Sequence, residues 1–298
     1  MKKIALSFLA IGLAFAGCKK EMIENTVDDL NDMDYKKSDK VMLCHLDDYG
    51  NYITISVAPA AVPAHMAHGD MEANPDGTCG CNADNPDFIQ DYSVNADGWY
   101  ASNYAVGTWN YGLISVINGV GIFDDANDSG PFSRFDGYTS TWPVDGWVAE
   151  TDIYLDPSWA TSSGFDYSVA ANGSDNLHQR DFIFHVTKDA STGKLLVAGS
   201  NNTNFAVRED LENINHYEVT TAGWYTFRHT FRDAGGYLAV DLQLVDINGT
   251  VLFTETRSNA ADLIPTEVGG NRYGWFTFIA VDGGIQVDNT KLFRCAPY

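Results

Sequence analysis

The sequence predicts an all-β protein, an antiparallel β-sandwich of jelly-roll type preceded by a small Cys/His-rich module. Three observations carry this expectation. Past residue 90, long helical periodicity is absent, and short alternating runs recur between clusters of Gly, Asn, Asp and Ser. Asn248-Gly249 separates two such runs, the strongest short-range hairpin signal. Ahead of them, three of the seven histidines fall between residues 45 and 68, with Cys44, Cys79 and Cys81 in the same region.

The chain begins with a positive pair, Lys2 and Lys3, and an apolar stretch from Ile4 to Ala16 that is too short for a permanent membrane span. It closes on Phe15-Ala16-Gly17-Cys18, which resembles the lipobox cut by lipoprotein signal peptidase. That resemblance implies a signal peptide over 1–17 and lipid on Cys18. Residues 18–40 are polar and mixed in charge, and read as a flexible tether. Each buried CH₂ of an acyl chain contributes about 0.8 kcal/mol, so several chains on one residue hold a protein firmly to a bilayer. The expected location is the cell envelope, as an outer-membrane lipoprotein that is periplasmic or surface-exposed, with the membrane as partner through the lipid.

Composition narrows the partners. Loss of Lys2 and Lys3 with the leader takes the 18 basic residues to 16 against 40 acidic ones, a net charge of −24. A surface that acidic excludes nucleic acid as a partner. Aromatics at 13% and charged residues at 19% indicate a packed globular protein rather than a disordered one. With Cys18 lipidated, Cys44, Cys79, Cys81 and Cys295 remain for two disulfides in an oxidising compartment, with three connectivities open. A bond to Cys295 would fasten the C-terminal end.

The small module is read over 41–82. Tyr52–Val57 alternates as a strand, and Ala64–His68 can form one helical turn that puts His65 and His68 on one face. His45, His65, His68 and Asp70 make a candidate Zn²⁺ set of imidazoles and a carboxylate. The competing reading is that the histidines stabilise a tiny disulfide-fastened fold by hydrogen bonding. The pattern Cys-His, an ITISV strand, AVPAHMAHGD and a following cysteine resembles a small module of secreted bacterial proteins, matched nearly throughout 41–81. The resemblance implies a unit and no activity. A module this small buries little apolar surface alone, which favours a covalent or metal staple.

The second domain is read over 87–298. Expected strands are Trp147–Leu155, Phe165–Ala170, Arg180–Thr187, Leu195–Ala198, Gly223–Phe231, Tyr237–Asp246, Thr250–Thr256, Arg272–Val281 and Gly284–Phe293. GIQVDNTKLF resembles the final strand of concanavalin A-like and laminin G-like sandwiches, and DIYLDPSW an internal strand of the same folds. QRDFIFHV, GWYTFRHTFRDAGGYLAVDL and GGNRYGWF are similar to an uncharacterised family of secreted bacterial jelly-roll proteins, over most of 95–293. That similarity implies fold, not mechanism.

Several residues are candidates for chemistry. Glu150-Thr151-Asp152 resembles the E-x-D start of the catalytic strand in concanavalin A-like glucanases, but the next same-face position is Tyr154, so the proton donor is missing. Asp125, Asn127 and Ser129, followed by Gly130 and by Asp136 at position twelve, fit the front of a Ca²⁺ loop. Sugar rings stack on exposed aromatic faces, and Trp99, Tyr100, Trp109, Tyr111 and Trp142 lie in or near expected loops. Arg180, Arg228, Arg232 and Arg272 could meet an acidic glycan, but internal pairing with Asp181, Asp233 and Asp241 is the favoured reading. No G-x-S-x-G, H-E-x-x-H or phosphate-loop pattern occurs, and no catalytic residue is assigned. The expected function is a membrane-anchored, non-catalytic module that binds a glycan or cell-surface polysaccharide or serves adhesion. The alternatives are a polysaccharide hydrolase or lyase, and a structural or protein-binding surface module.

Overall fold

The computed structural model describes residues 40–46, 52–67, 70–73, 79, 81, 83, 86–101, 112–126, 129–135, 137–143, 145–201 and 210–295. The expected leader, Cys18 and most of the tether lie outside them. In chain order the first elements are β1 (Val41–Leu46), β2 (Tyr52–Val57), α1 (Val62–Ala67) and β3 (Met71–Glu72). Short strands follow: β4 (Phe88–Gln90), β5 (Trp99–Tyr100), β6 (Leu113–Ile117), β7 (Val120–Asp124) and β8 (Ser129–Ser133). Longer ones come next: β9 (Trp147–Leu155), β10 (Gly164–Gly173), β11 (His178–Lys188) and β12 (Leu195–Asn201). The last are β13 (His216–Val219), β14 (Gly223–Asp233), β15 (Tyr237–Val245), β16 (Val251–Leu263), β17 (Val268–Thr277) and β18 (Ile285–Arg294).

The strands pair antiparallel into a sandwich. One sheet has seven strands in the order β13-β12-β11-β10-β17-β8-β5, and the other has eight, β16-β15-β14-β9-β18-β7-β6 with β4 also on β18. Sequence period two explains the arrangement. Along β9, Trp147, Ala149, Thr151, Ile153 and Leu155 are buried, while Glu150, Asp152 and Tyr154 are half-buried on the opposite face. Asn248-Gly249 turns β15 into β16 as expected, with the Gly249 amide donating to the Asp246 carbonyl. The strand expected over Arg272–Val281 instead runs Val268–Thr277, and ends where Phe278 takes φ 53°.

The two inner faces meet in an aromatic seam. Trp147 stacks on Phe231 at 3.5 Å between centroids, and Tyr167 stacks on Phe276 at 4.5 Å. Phe123 meets Phe276 edge-on at 5.6 Å. Each such pair contributes about 0.5–1.5 kcal/mol beyond its buried area. Two tyrosine hydroxyls buried in the seam are paired, Tyr167 with Thr151 and Tyr92 with Thr290, both at 2.9 Å. Gly146 admits the seam's largest ring pair. A Cβ there would sit 1.8 Å from the Phe231 carbonyl oxygen, and its φ is +88°.

The three-stranded sheet β2-β1-β3 carries the Cys/His-rich region. Among the residues of this region whose burial is described, Leu43, Cys44 and Asp70 are buried. Two disulfides fasten the region. Cys44 bonds Cys79 within the region, and Cys81 bonds Cys295, just past β18. This is one of the three connectivities open from sequence. Beside it, Val148, Phe293 and Cys295 cluster on the outer side of the eight-stranded sheet. Among the described residues, no helix is long and apolar enough to cross a membrane.

One core residue makes stability depend on pH. His229 lies between the sheets, fully buried against Tyr167 and Phe184, with Nε2 3.1 Å from the Phe182 carbonyl. Burial pushes its pKa down to about 3. The unfolded chain protonates this group below about pH 6.5 while the folded chain stays neutral, so stability falls with pH across that window at about 1.4 kcal/mol per unit. Denaturant midpoints between pH 7 and 4 should therefore drop more steeply in the native sequence than in His229→Gln, which keeps an N–H donor and cannot protonate. Parallel pH profiles would exclude His229 as the cause.

Candidate functional site

The sandwich turns its apolar side chains inward, and the outer faces are left for chemistry. Residues paired across antiparallel strands share a face. Register places Tyr100, Phe132, Trp275, Ser168, Ile183 and Ser200 in one row across the outer face of the seven-stranded sheet. Tyr273, Ala170 and Asp181 form a neighbouring row. The aromatic end of these rows opens into a cleft of about 360 Å³, lined by Phe132, Arg134, Tyr138, Asn172, His178 and Tyr273, with Gly137, Asn176 and Arg272.

The cleft is built around two adjacent, tilted rings. Phe132 and Tyr273 lie 5.3 Å apart at 36°, and His178 continues the shelf 6.2 Å from Tyr273. Arg134, just past β8, carries its guanidinium 5.9 Å from the Phe132 ring centroid. Asp181 organises the far end: Tyr273 donates its hydroxyl at 3.0 Å, and His178 Nε2 lies at 3.1 Å. The hydrogen bond to Asp181 raises the His178 pKa, against a smaller lowering by desolvation. Register shifts at Ala171–Asn172 break the ladder, and Asn172 stands at the lip. Tyr138 donates its hydroxyl to the Ser174 carbonyl across the mouth. Arg272 is buried beneath, its guanidinium 5.6 Å from the Trp147 ring.

The opposite end of the same face holds a relay that sequence reasoning did not find. His185 Nδ1 lies 2.7 Å from Asp166 Oδ1, and Nε2 lies 2.7 Å from Ser200 Oγ. Order and distances match a Ser-His-Asp triad, whose members are recognised by geometry and not by sequence motif. All three are nevertheless buried, Ser200 with 3% exposure. Leu211, from a short 3₁₀ turn, packs against Leu196 and Ala198 on the Ser200 side of β12. With its hydroxyl shut away from solvent, the relay is a buried hydrogen-bonded network.

A second polar cluster sits in the three-stranded sheet. His45 Nδ1 lies 2.9 and 2.8 Å from the two Asp70 oxygens, and His65 Nδ1 lies 2.6 Å from Oδ2. The structure thus brings together three of the four residues named for zinc. His68 lies outside the described residues.

The other expected positions are dispersed. Trp99 is a core residue packed on Phe123 and Phe276, which corrects its reading as a surface aromatic: its register position on β5 faces the seam. Tyr100, the next residue, is exposed beside Phe132 on the cleft's face. Trp142 is half-buried, 6.5 Å from Trp147. Trp109 and Tyr111 lie outside the described residues. Of the expected Ca²⁺ ligands, Asn127 and Asp136 lie outside the described residues. Asp125 directly precedes the Ala126–Ser129 bridge, and Ser129 opens an extended strand through Ser133, which rises about 3.3 Å per residue.

Glu150 and Asp152 face outward from the eight-stranded sheet and are engaged there. Arg228 binds Glu150, while Thr226 and Asn289 donate to Asp152 at 2.6 and 3.1 Å. Arg180, Arg228 and Arg232 pair internally, as favoured from sequence, with only the Arg232–Asp241 pair as named, whereas Arg272 donates to the Gly270 carbonyl. Arg180 holds Asp262, and Arg232 holds Asp241.

No family model matches the chain, and no curated protein does. Among solved structures it is similar to the CBM2 module of the evolved Dit of Lactobacillus casei BL23 phage J-1, at 12% identity over 74% of this chain and 99% of that one, with a TM-score of 0.45. The exoplasmic/lumenal domain of VIP36, in its Ca²⁺/Man3GlcNAc-bound form, is similar at 10% identity over 74% and 92%, TM-score 0.43. Lectin II from Ulex europaeus is similar at 12% identity over 72% and 100%, TM-score 0.39. Likeness at this level says nothing of ligand.

The cleft's electrostatics can be measured directly. An NMR titration should place the His178 midpoint above 6.5, and Asp181→Asn should bring it down. The ion pair is present at low pH and is lost as pH rises through the raised value. An unchanged midpoint in Asp181→Asn would show that the carboxylate does not hold the ring.

Proposed function

We propose that this chain is a non-catalytic glycan-binding module, carried on an exported, lipid-anchored protein of the cell envelope, and that the sugar docks in the cleft on the seven-stranded sheet. The observation that carries the reading is the Phe132–Tyr273–His178 shelf with Arg134 and Asn172 at its edge. Such a shelf suits a pyranose ring, whose C–H face packs on aromatic carbon while its hydroxyls take amide and guanidinium partners. The hydrogen bond from the Tyr273 hydroxyl to buried Asp181 keeps the shelf rigid before ligand arrives, which lowers the ordering cost of binding.

Hydrolysis is the weaker reading. A retaining glycosidase needs two carboxylates about 5–5.5 Å apart and an inverting one about 6.5–9.5 Å. None of the described residues lining the cleft is a carboxylate. Glu150 and Asp152 stand on the other sheet, occupied by Arg228 and by Thr226 and Asn289.

The full chain in detergent should bind a subset of a glycan array. Calorimetry with the best ligand should show at least about tenfold weaker binding for Tyr273→Ala and for the exposed Arg134→Ala, as expected for loss of one good contact of about 1.4 kcal/mol. Trp224→Ala, on the outer face of the other sheet, should bind normally. An array with no bound glycan, or binding lost in Trp224→Ala and kept in both cleft variants, would overturn the proposal.

A further inference from the structure

Helix α1 presents an anomaly of packing. It spans six residues and none of them is buried. Polar contacts join it to β1. His65 from α1 and His45 from β1 both reach Asp70, which directly precedes β3. The Asp70 amide also donates to the His65 carbonyl at 3.2 Å, closing the turn after the helix. The Asp70 side chain is fully buried, whereas His45 and His65 keep 34% and 25% of their side-chain surface exposed. A buried carboxylate is thus covered by two imidazoles that solvent can reach.

We propose that His45, His65 and Asp70 bind one Zn²⁺ ion, which fastens α1 to β1. Two imidazoles and a carboxylate are a borderline-soft donor set that suits zinc and is poor for Ca²⁺ or Mg²⁺. One ligand atom from each residue falls within 4.8 Å of the other two. The present approaches of 2.6–2.9 Å are hydrogen bonds. A tetrahedral ion with bonds of about 2.0–2.1 Å spaces its ligands about 3.3 Å apart, so loading needs an opening of roughly half an ångström. Rotation of the two partly exposed rings supplies it, while Asp70 stays fixed by burial. The Cys44–Cys79 bond adjoins the site, since Cys44 precedes His45 on β1 and the alternation of the strand points the two to opposite faces. One face of β1 is then fastened covalently and the other by metal.

The test uses the full chain without an affinity tag, stripped with chelator and dialysed against Zn²⁺. Elemental analysis should return one zinc per chain, and X-ray absorption should show two imidazole nitrogens among low-atomic-number ligands with no sulfur. His65→Gln and Asp70→Asn should each weaken zinc binding by about 100-fold or more, the upper range for loss of even an outer partner. Mass spectrometry showing both disulfides intact would establish that the variants fold. A stoichiometry near zero in the native chain, sulfur in the first shell, or zinc bound equally well by folded His65→Gln would overturn the proposal, leaving the trio as a hydrogen-bonded clasp. None of these outcomes depends on glycan binding at the cleft.

Discussion

Burial of the alternating side chains between two antiparallel sheets is the constraint from which the rest follows. Trp147, Phe231, Tyr167, Phe276 and Phe123 occupy that seam, and each strand must present its odd or even set to it. In β9, buried on one face and half-buried on the other, a slip of one residue would turn the apolar set outward. The same constraint fixes what remains outside. Tyr273 and Trp275 face outward because Gly274 and Phe276 face inward, and Phe132 meets them because β8 pairs with β17. The cleft is thus a product of the core's register and not a separate feature added to it.

The seven-stranded sheet carries two kinds of polar chemistry on one face. At the end nearer β8 the aromatic shelf is open and the arginine and amide side chains surround a space. At the β11–β12 end His185 hydrogen-bonds both Asp166 and Ser200, with all three buried. Accessibility, rather than residue type, separates a binding surface from a buried network here. The outer face of the eight-stranded sheet differs again, since its charges pair across neighbouring strands as Arg228–Glu150 and Arg232–Asp241.

Much of this was legible from the chain alone. The long strands β9 to β18, apart from the short β13, stand out because alternation of period two needs only a few residues to show itself. Strands β4 to β8 did not, because two- to five-residue strands with glycines and aromatics carry too little periodicity. The start of β17 was missed because Gly269 and Gly270 read as a break. In the fold Gly270 lies where a Cβ would come 2.5 Å from the Thr141 carbonyl oxygen, so close backbone approach requires it. For the sites the outcome is mixed. His45, His65 and Asp70 converge as their spacing suggested, since a short helix and a turn return them to β1. The cleft was not foreseen, because Phe132, Tyr273 and His178 come from three strands far apart in sequence. Trp99 was misjudged because a two-residue strand gives no pattern from which to tell its inward residue from its outward one.

The central claim is that a sugar ring rests on the Phe132–Tyr273 shelf. The most direct measurement is a side-chain NMR titration of the full chain in detergent with a bound glycan. The account expects the ring resonances of Phe132, Tyr273 and His178 to shift in concert, with those of Trp224 and Tyr154 on the far sheet unmoved. Shifts confined to the far sheet, with the shelf unaffected at saturation, would contradict it.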